Sequence, residues 1–220
     1  LIDPSATPFR VVLLGPPASG KGTQGRRLAT ALGLGYLSTG ALLREQVENQ
    51  TPLGKLAGPI LARGEYLPDD LMCPILAEWL STQATGWVLD GFPRSLPQAV
   101  FLDQWLTQNS QALTAAVSLG VPKDQLLARI QGRVECPDCR WSGQRSQLIA
   151  PNLCPVCQNP ASSRADDSEQ NFLSRHAEFV ALTQPAIDYY RLASKLLHID
   201  ASAPQPEVAA EILSYFPHPA

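Results

Sequence analysis

Gly15-Pro16-Pro17-Ala18-Ser19-Gly20-Lys21-Gly22-Thr23 lies between an uncharged, β-branched run over 11–14 and a helix-forming run over 24–32. The run before it has no polar alternation, the pattern of a short parallel strand covered on both faces. The glycines of the loop let backbone N–H groups close on phosphate oxygens, and the helix N-terminus that follows faces the same anion. Lys21 then brings a mobile positive charge to the β and γ phosphates. Gly22 follows the lysine, so the hydroxyl arrives one place later, at Thr23. The plainer alternative is a Gly/Pro turn joining strand to helix; the lysine, the hydroxyl and both flanks together favour a phosphate cradle.

Outward from the loop, short apolar runs alternate with helix-forming ones. Tyr36-Leu37 begins a second strand, and Ser38-Thr39-Gly40 offers caps for a helix over 41–49. Further helices are expected over 53–63 and 71–80, more than a simple crossover needs, so they read as a small mobile subdomain. A strand over 86–89 ends in Asp90-Gly91-Phe92-Pro93-Arg94. Ligands collect at the carboxyl ends of strands in open α/β sheets, so Asp90 and Arg94 are expected to face the loop. Asp90 is placed to hold magnesium, directly or through water, with a turn aspartate as the alternative that Arg94 argues against.

The remaining pattern is a helix over 96–106, a strand over 115–121 and a helix over 122–131, where Arg129 and Arg133 share a face if the turn persists past Gly132. Asp167 with Gln170 resembles a capping box for a helix reaching about residue 192, with Arg175 on its early turns. A strand over 196–199 and a helix over 207–215 complete the chain. Five short apolar strands alternating with helices predict an α/β fold with a doubly wound parallel five-stranded sheet.

The 220 residues are 45% apolar and 17% charged, enough to bury a substantial core. No apolar run approaches the roughly 18 residues that span a bilayer, and no signal peptide is seen, so a cytoplasmic protein without a membrane partner is expected. Residues 1–8 read as a leader outside the fold. The net charge of −3 argues against a nucleic-acid partner and confines any anion site to a local patch. The 13 Arg against 4 Lys suit bidentate phosphate recognition where they converge, although codon bias in a GC-rich genome produces the same skew.

Between Arg133 and Asp167 the composition turns to Pro, Gly, Ser and Cys. Cys136-Pro137-Asp138-Cys139 and Cys154-Pro155-Val156-Cys157 are two knuckles whose four thiolates can converge tetrahedrally on one structural zinc ion. Iron fits the same ligands, and disulfides are disfavoured outside an oxidising compartment. Cys73 sits among apolar residues and reads as core. His176, His198 and His218 are unpartnered in sequence, and no Ser/His/Asp or Cys/His set suggests a covalent nucleophile.

The phosphate loop, Ser38-Thr39-Gly40, Arg44, Asp90 to Arg94, Gln98, Arg129 to Arg133 and Arg164-Ala165-Asp166-Asp167 occur in the order and spacing of adenylate kinases. From about Phe9 onward the chain resembles that family, in its long-lid form with a zinc-bearing lid. The resemblance implies a monomeric nucleoside monophosphate kinase that reversibly transfers the γ-phosphoryl group from magnesium ATP to AMP, giving two ADP. It divides the chain into a core (1–38, 69–128 and 168–220), an AMP-binding subdomain (39–68) and a lid (129–167). Gly15, Ala18, Ser19, Gly20, Lys21, Gly22 and Thr23 hold the ATP phosphates in this scheme, with Arg129 against the ATP base. Thr39 and Gln98 contact the adenine of AMP, Glu65, Tyr66 and Leu67 line its pocket, and Arg44, Gly91 and Arg94 hold its phosphate. Arg133, Arg164 and Arg175 gather around the transferring group, which makes Lys21, Asp90, Arg94, Arg133, Arg164 and Arg175 the catalytic set.

Several positions depart from that pattern. Ala18 replaces a glycine, at about 1 kcal/mol if its φ is positive, and Ala41 replaces an aspartate. Val134 replaces an arginine, and Gly143-Gln144 replaces a Tyr-His pair, leaving Trp141 either to stack on a base or to pack the lid. The rival functions are a kinase preferring UMP, CMP or GMP, and a nucleotide- and zinc-binding module with little turnover.

Overall fold

Residues that alternate along one strand belong to different apolar layers here. In strand β1 (Arg10–Leu14), Val11 and Leu13 enter one buried cluster while Val12 and Leu14 enter another. A strand sandwiched in this way has no solvent side on which polar residues could alternate, which is why its sequence reads as continuously apolar. The computed structural model describes residues 8–149, 151–164 and 166–216. Residues 1–7 of the expected leader, Ala165 and His218 lie outside the described residues.

After β1 come helix α1 (Lys21–Leu32), β2 (Gly35–Ser38), helices α2 (Thr39–Glu48), α3 (Pro52–Ala62) and α4 (Asp69–Ser81), then β3 (Trp87–Asp90). Helix α5 (Leu96–Gln108), β4 (Ala115–Gly120) and α6 (Lys123–Gln131) lead into a hairpin of β5 (Arg133–Glu135) and β6 (Ser142–Gln144). The chain closes with α7 (Glu169–Glu178), a π-helical stretch (Phe179–Thr183), α8 (Gln184–Leu192), β7 (Leu196–Asp200) and α9 (Gln205–Ser214).

The main sheet is parallel throughout, in the order β2-β3-β1-β4-β7. One face packs with Leu28 and Ala29 of α1 and Val208 and Ile212 of α9; the other packs with residues of α2 to α5 and α8. This is the doubly wound five-stranded sheet that the alternation of elements predicts. Leu89, Leu102 and Leu119 are fully buried, and truncating one to alanine costs about 2–5 kcal/mol. Register does the positioning: Leu13 pairs with Asp90 and Leu14 with Ser118, so the loop that follows Leu14 emerges beside Asp90 at the carboxyl edge of the central strand.

Three helix expectations are corrected. The α7 N-cap is Ser168, whose Oγ accepts from Asn171 N at 3.1 Å, while Asp167 is drawn away to Arg133. The helix is also interrupted, because Pro185 has no N–H for the turn before it; the π stretch absorbs the mismatch and buries Thr183. Helix α6 likewise stops at Gln131 with Gly132 as C-cap, so Arg133 opens β5 rather than sharing a helical face with Arg129. No helix among the described residues is long and apolar enough to cross a membrane.

Candidate active site

The loop between β1 and α1 is built to leave donors free. Gly20, at φ 98°, caps α1 with no side-chain hydrogen bond, so the amides of the first turn keep no acceptor within their helix. Gly15, at φ 143°, lies so close to β4 that a Cβ there would come within 2.8 Å of the Leu119 carbonyl oxygen. Ser19 Oγ is buried without a hydrogen-bond partner, an orphan that an anion's oxygen could satisfy. Ala18 has φ 63°, so the Cβ penalty foreseen at this position does apply.

Lys21 Nζ donates to the carbonyl oxygens of Gly15 and Pro16, both at 2.8 Å. Burial pushes its pKa down to about 8; Asp90 opposes the fall, and Arg94, Arg175 and Arg133 add to it. The ammonium is thus held at the loop by neutral carbonyls, in surroundings that favour a negatively charged guest.

A cleft of about 250 Å³ opens over the loop. Lys21, Arg26, Arg44, Arg94, Arg129, Arg133, Arg164 and Arg175 line it against two carboxylates, Asp90 and Glu135. In a chain of net charge −3 this is the local positive patch that the composition required. Several arginines are paired with acids: Arg133 with Asp167, Arg164 with Glu135, and Arg175 with Asp166 at 3.1 Å. Burial lowers the Arg175 pKa despite Asp166, and burial then Arg133 lower that of Arg164. For Asp166, burial opposes the charge, yet Arg175, Arg44, Arg164 and Arg133 together hold its pKa below the usual carboxylate range. Arg94 donates from Nε to the Gly91 carbonyl oxygen at 2.7 Å and stacks on Tyr66, 4.7 Å from the ring centroid. Arg129 donates to the Ala201 carbonyl oxygen at 2.8 Å.

Gly15, Ala18, Ser19, Gly20, Gly22, Thr23, Tyr66 and Gly91 line the same cleft as the basic residues. Thr39, Glu65, Leu67 and Gln98 do not. Thr39 is buried and its hydroxyl donates to the Gly91 carbonyl oxygen at 2.9 Å. Gln98 accepts from the Arg94 amide at 2.7 Å and donates to Asp69 Oδ1 at 2.6 Å. Glu65 makes a surface fork with Arg63, and Leu67 is core.

The two cysteine knuckles repeat one another. In each, the first cysteine's amide donates to a carbonyl five residues on, Cys136 to Trp141 and Cys154 to Asn159. In each, the residue after the second cysteine is left-handed: Arg140 at φ 59° and Gln158 at φ 62°. All four Sγ atoms lie within 4.8 Å of one another. Tetrahedral zinc–thiolate bonds of 2.3 Å place sulfurs roughly 3.8 Å apart, and Cys136–Cys157 and Cys139–Cys154 stand at 3.4 and 3.5 Å. The donor set therefore fits a tetrahedral, soft-ligand metal. Trp141 packs against this cluster; Cys73 is half-buried against the main core.

Beyond geometry, the adenylate kinase family model matches residues 13–195. The chain belongs to the adenylate kinase family. It is 33% identical to an adenylate kinase of Finegoldia magna, over 94% of this chain and 98% of that protein. It is 37% identical to adenylate kinases of Chlamydia caviae, over 92% of this chain and 95% of that protein, and of Dehalococcoides mccartyi, over 94% and 97%. Membership in the adenylate kinase family makes the chain a phosphotransferase, with nucleoside monophosphate kinase activity.

Sequence reasoning gave no arginine partner to the acids Glu135, Asp166 and Asp167, and no site role to two hydroxyls, Tyr36 and Thr183. The acids carried a signal, since each lies within a few residues of an arginine in the insert. Thr183 carried none: its hydroxyl reaches the Arg94 carbonyl oxygen at 2.7 Å only because the π stretch turns it inward.

Proposed function

We propose that the chain transfers the γ-phosphoryl group of magnesium ATP directly to AMP, giving two ADP, and that AMP is its preferred acceptor. The observation that carries this reading is the meeting of the phosphate loop with Lys21, Arg44, Arg94, Arg133, Arg164 and Arg175 around one cleft. An AMP phosphate oxygen forms a bond to the γ-phosphorus as the bond from that phosphorus to the β–γ bridging oxygen breaks; no proton need move and no side chain need attack. Such a transfer asks for alignment and positive charge around a loose, anionic transition state. Lys21 and the loop amides hold the ATP chain, Arg44 and Arg94 hold the AMP phosphate, and Arg133, Arg164 and Arg175 exchange their carboxylate partners for phosphate oxygens. Asp90, a carboxylate at the cleft wall, suits a hard cation that takes few protein ligands. Magnesium, entering with ATP, would supply positive charge against the triphosphate, with Asp90 as the residue placed to hold it.

In this reading residues 129–167 act as a lid stapled by zinc on Cys136, Cys139, Cys154 and Cys157, and residues 39–68 as the acceptor-binding subdomain, both moving on a core of 1–38, 69–128 and 168–220. Closure excludes water that would otherwise hydrolyse ATP. The protein works as a cytoplasmic monomer. A second reading, preference for UMP, CMP or GMP, draws on Thr39 and Gln98, whose polar atoms are occupied by protein partners rather than presented to a base. A panel of nucleoside monophosphates with ATP, read by ADP formation with metal content measured on the same sample, separates the two. Highest kcat/KM with AMP is expected; activity on UMP far above AMP overturns the choice.

A further inference from the structure

Asp90 and Glu135 are the carboxylates that line the cleft among the described residues, and Glu135 is paired with Arg164. Asp90 alone is left to face a cation, and nothing about a lone carboxylate fixes its rotation. The structure supplies a clamp behind it. Tyr36 Oη donates to Asp90 Oδ2 at 3.1 Å from the neighbouring strand β2, outside the cleft lining.

The tyrosine is itself fixed. Its ring lies against α1 at Gly25, where a Cβ would come within 2.8 Å of Cε2, and the Arg26 guanidinium sits 5.4 Å from the ring centroid. Gly22 crosses above the pair, with space for a Cβ only 3.4 Å from Asp90 Oδ2. A phenol O–H that cannot swing away holds one carboxylate oxygen and leaves the other for a ligand.

We propose that Tyr36 is a positioning residue for the cation site, orienting Asp90 so that its second oxygen meets the magnesium of bound ATP. The inference rests on Asp90 being the magnesium carboxylate. Both parts are tested on the full chain with Mn²⁺ as probe, in the presence of a β,γ-imido analogue of ATP, by electron paramagnetic resonance of bound against free Mn²⁺. Tyr36→Phe keeps the ring and removes the donor; it should weaken Mn²⁺ binding about three- to tenfold. The magnesium concentration for half-maximal turnover should rise by the same factor, with KM for AMP unchanged. Tyr36→Leu, which also removes the donor, should act in the same direction and serves if Tyr36→Phe does not fold. Wild-type Mn²⁺ affinity and magnesium midpoint in Tyr36→Phe overturn the inference, as does a loss of thermal stability alone. Asp90→Asn separates the levels: if it also leaves Mn²⁺ binding intact, the reading of Asp90 fails; if it weakens binding while Tyr36→Phe does not, only the clamp fails.

Discussion

The cleft and the cysteine insert each crowd together groups that repel or compete, and they are held in opposite ways. The cleft's cations rest on a sheet packed on both faces, with clusters that include Trp87, Leu89 and Tyr190 on one side and Leu28, Val117 and Val208 on the other. Burial on that scaffold lowers the pKa values of Lys21, Arg164 and Arg175, and the neighbouring cations add to the fall. The insert's buried cluster is Cys136, Cys154 and Ala161, and its hairpin pairs three residues with three. So little apolar burial leaves the four sulfurs, close enough together to hold a metal, as the groups best placed to order it. Charge is concentrated where the scaffold can bear it, and clustered thiols stand where the apolar core is thin.

The sharpest way to test that contrast is Lys21→Met. Turnover should fall by about a thousandfold or more while the thermal melt stays at or above the wild-type midpoint, since a desolvated ammonium is removed. Unchanged turnover would contradict the role given to Lys21. In the insert the balance reverses. Cys136→Ser with Cys154→Ser should abolish bound zinc and lower the melting midpoint by several degrees, with a smaller loss of turnover than Lys21→Met. Elemental analysis of untreated protein that finds no metal would break the contrast outright.

A smaller effect probes the loop's backbone. Ala18→Gly relieves the left-handed strain at φ 63° but frees the unfolded chain, so it should raise stability by about 0.5–1 kcal/mol in denaturant unfolding. A destabilised variant would show that the methyl's packing beside Leu126, Ile130 and Phe172 outweighs its strain. The smallest effect is a fraction of a proton. With its pKa pushed down to about 8 in the free protein, Lys21 loses charge as pH rises through that range, and a bound triphosphate favours the ammonium. Binding of the ATP analogue should therefore take up protons at pH 8.5, seen as a buffer-dependent binding enthalpy, with affinity falling as pH rises through 8. Lys21→Met should lose the uptake.

Most of the sheet and the loop could be read from local pattern, because parity along a strand, a glycine-rich turn and a lysine at fixed spacing are consequences of backbone geometry within a few residues. The cysteine knuckles were legible for the same reason: each closes on itself through a bond from the first cysteine's amide to a carbonyl five residues on. Composition likewise foretold that any anion site on a chain of net charge −3 had to be a local patch.

The partners of that patch belonged to the tertiary structure. Whether Asp167 caps a helix or holds Arg133, whether Gln98 meets a base or spans Arg94 and Asp69, and whether Tyr36 merely fills a strand or grips Asp90 depend on which distant segments are brought within 3 Å or so of each other. Short-range sterics dictate the shape of each element in this protein, but a hydrogen bond across 54 residues of chain, as from Tyr36 to Asp90, exists only once the sheet has set its register.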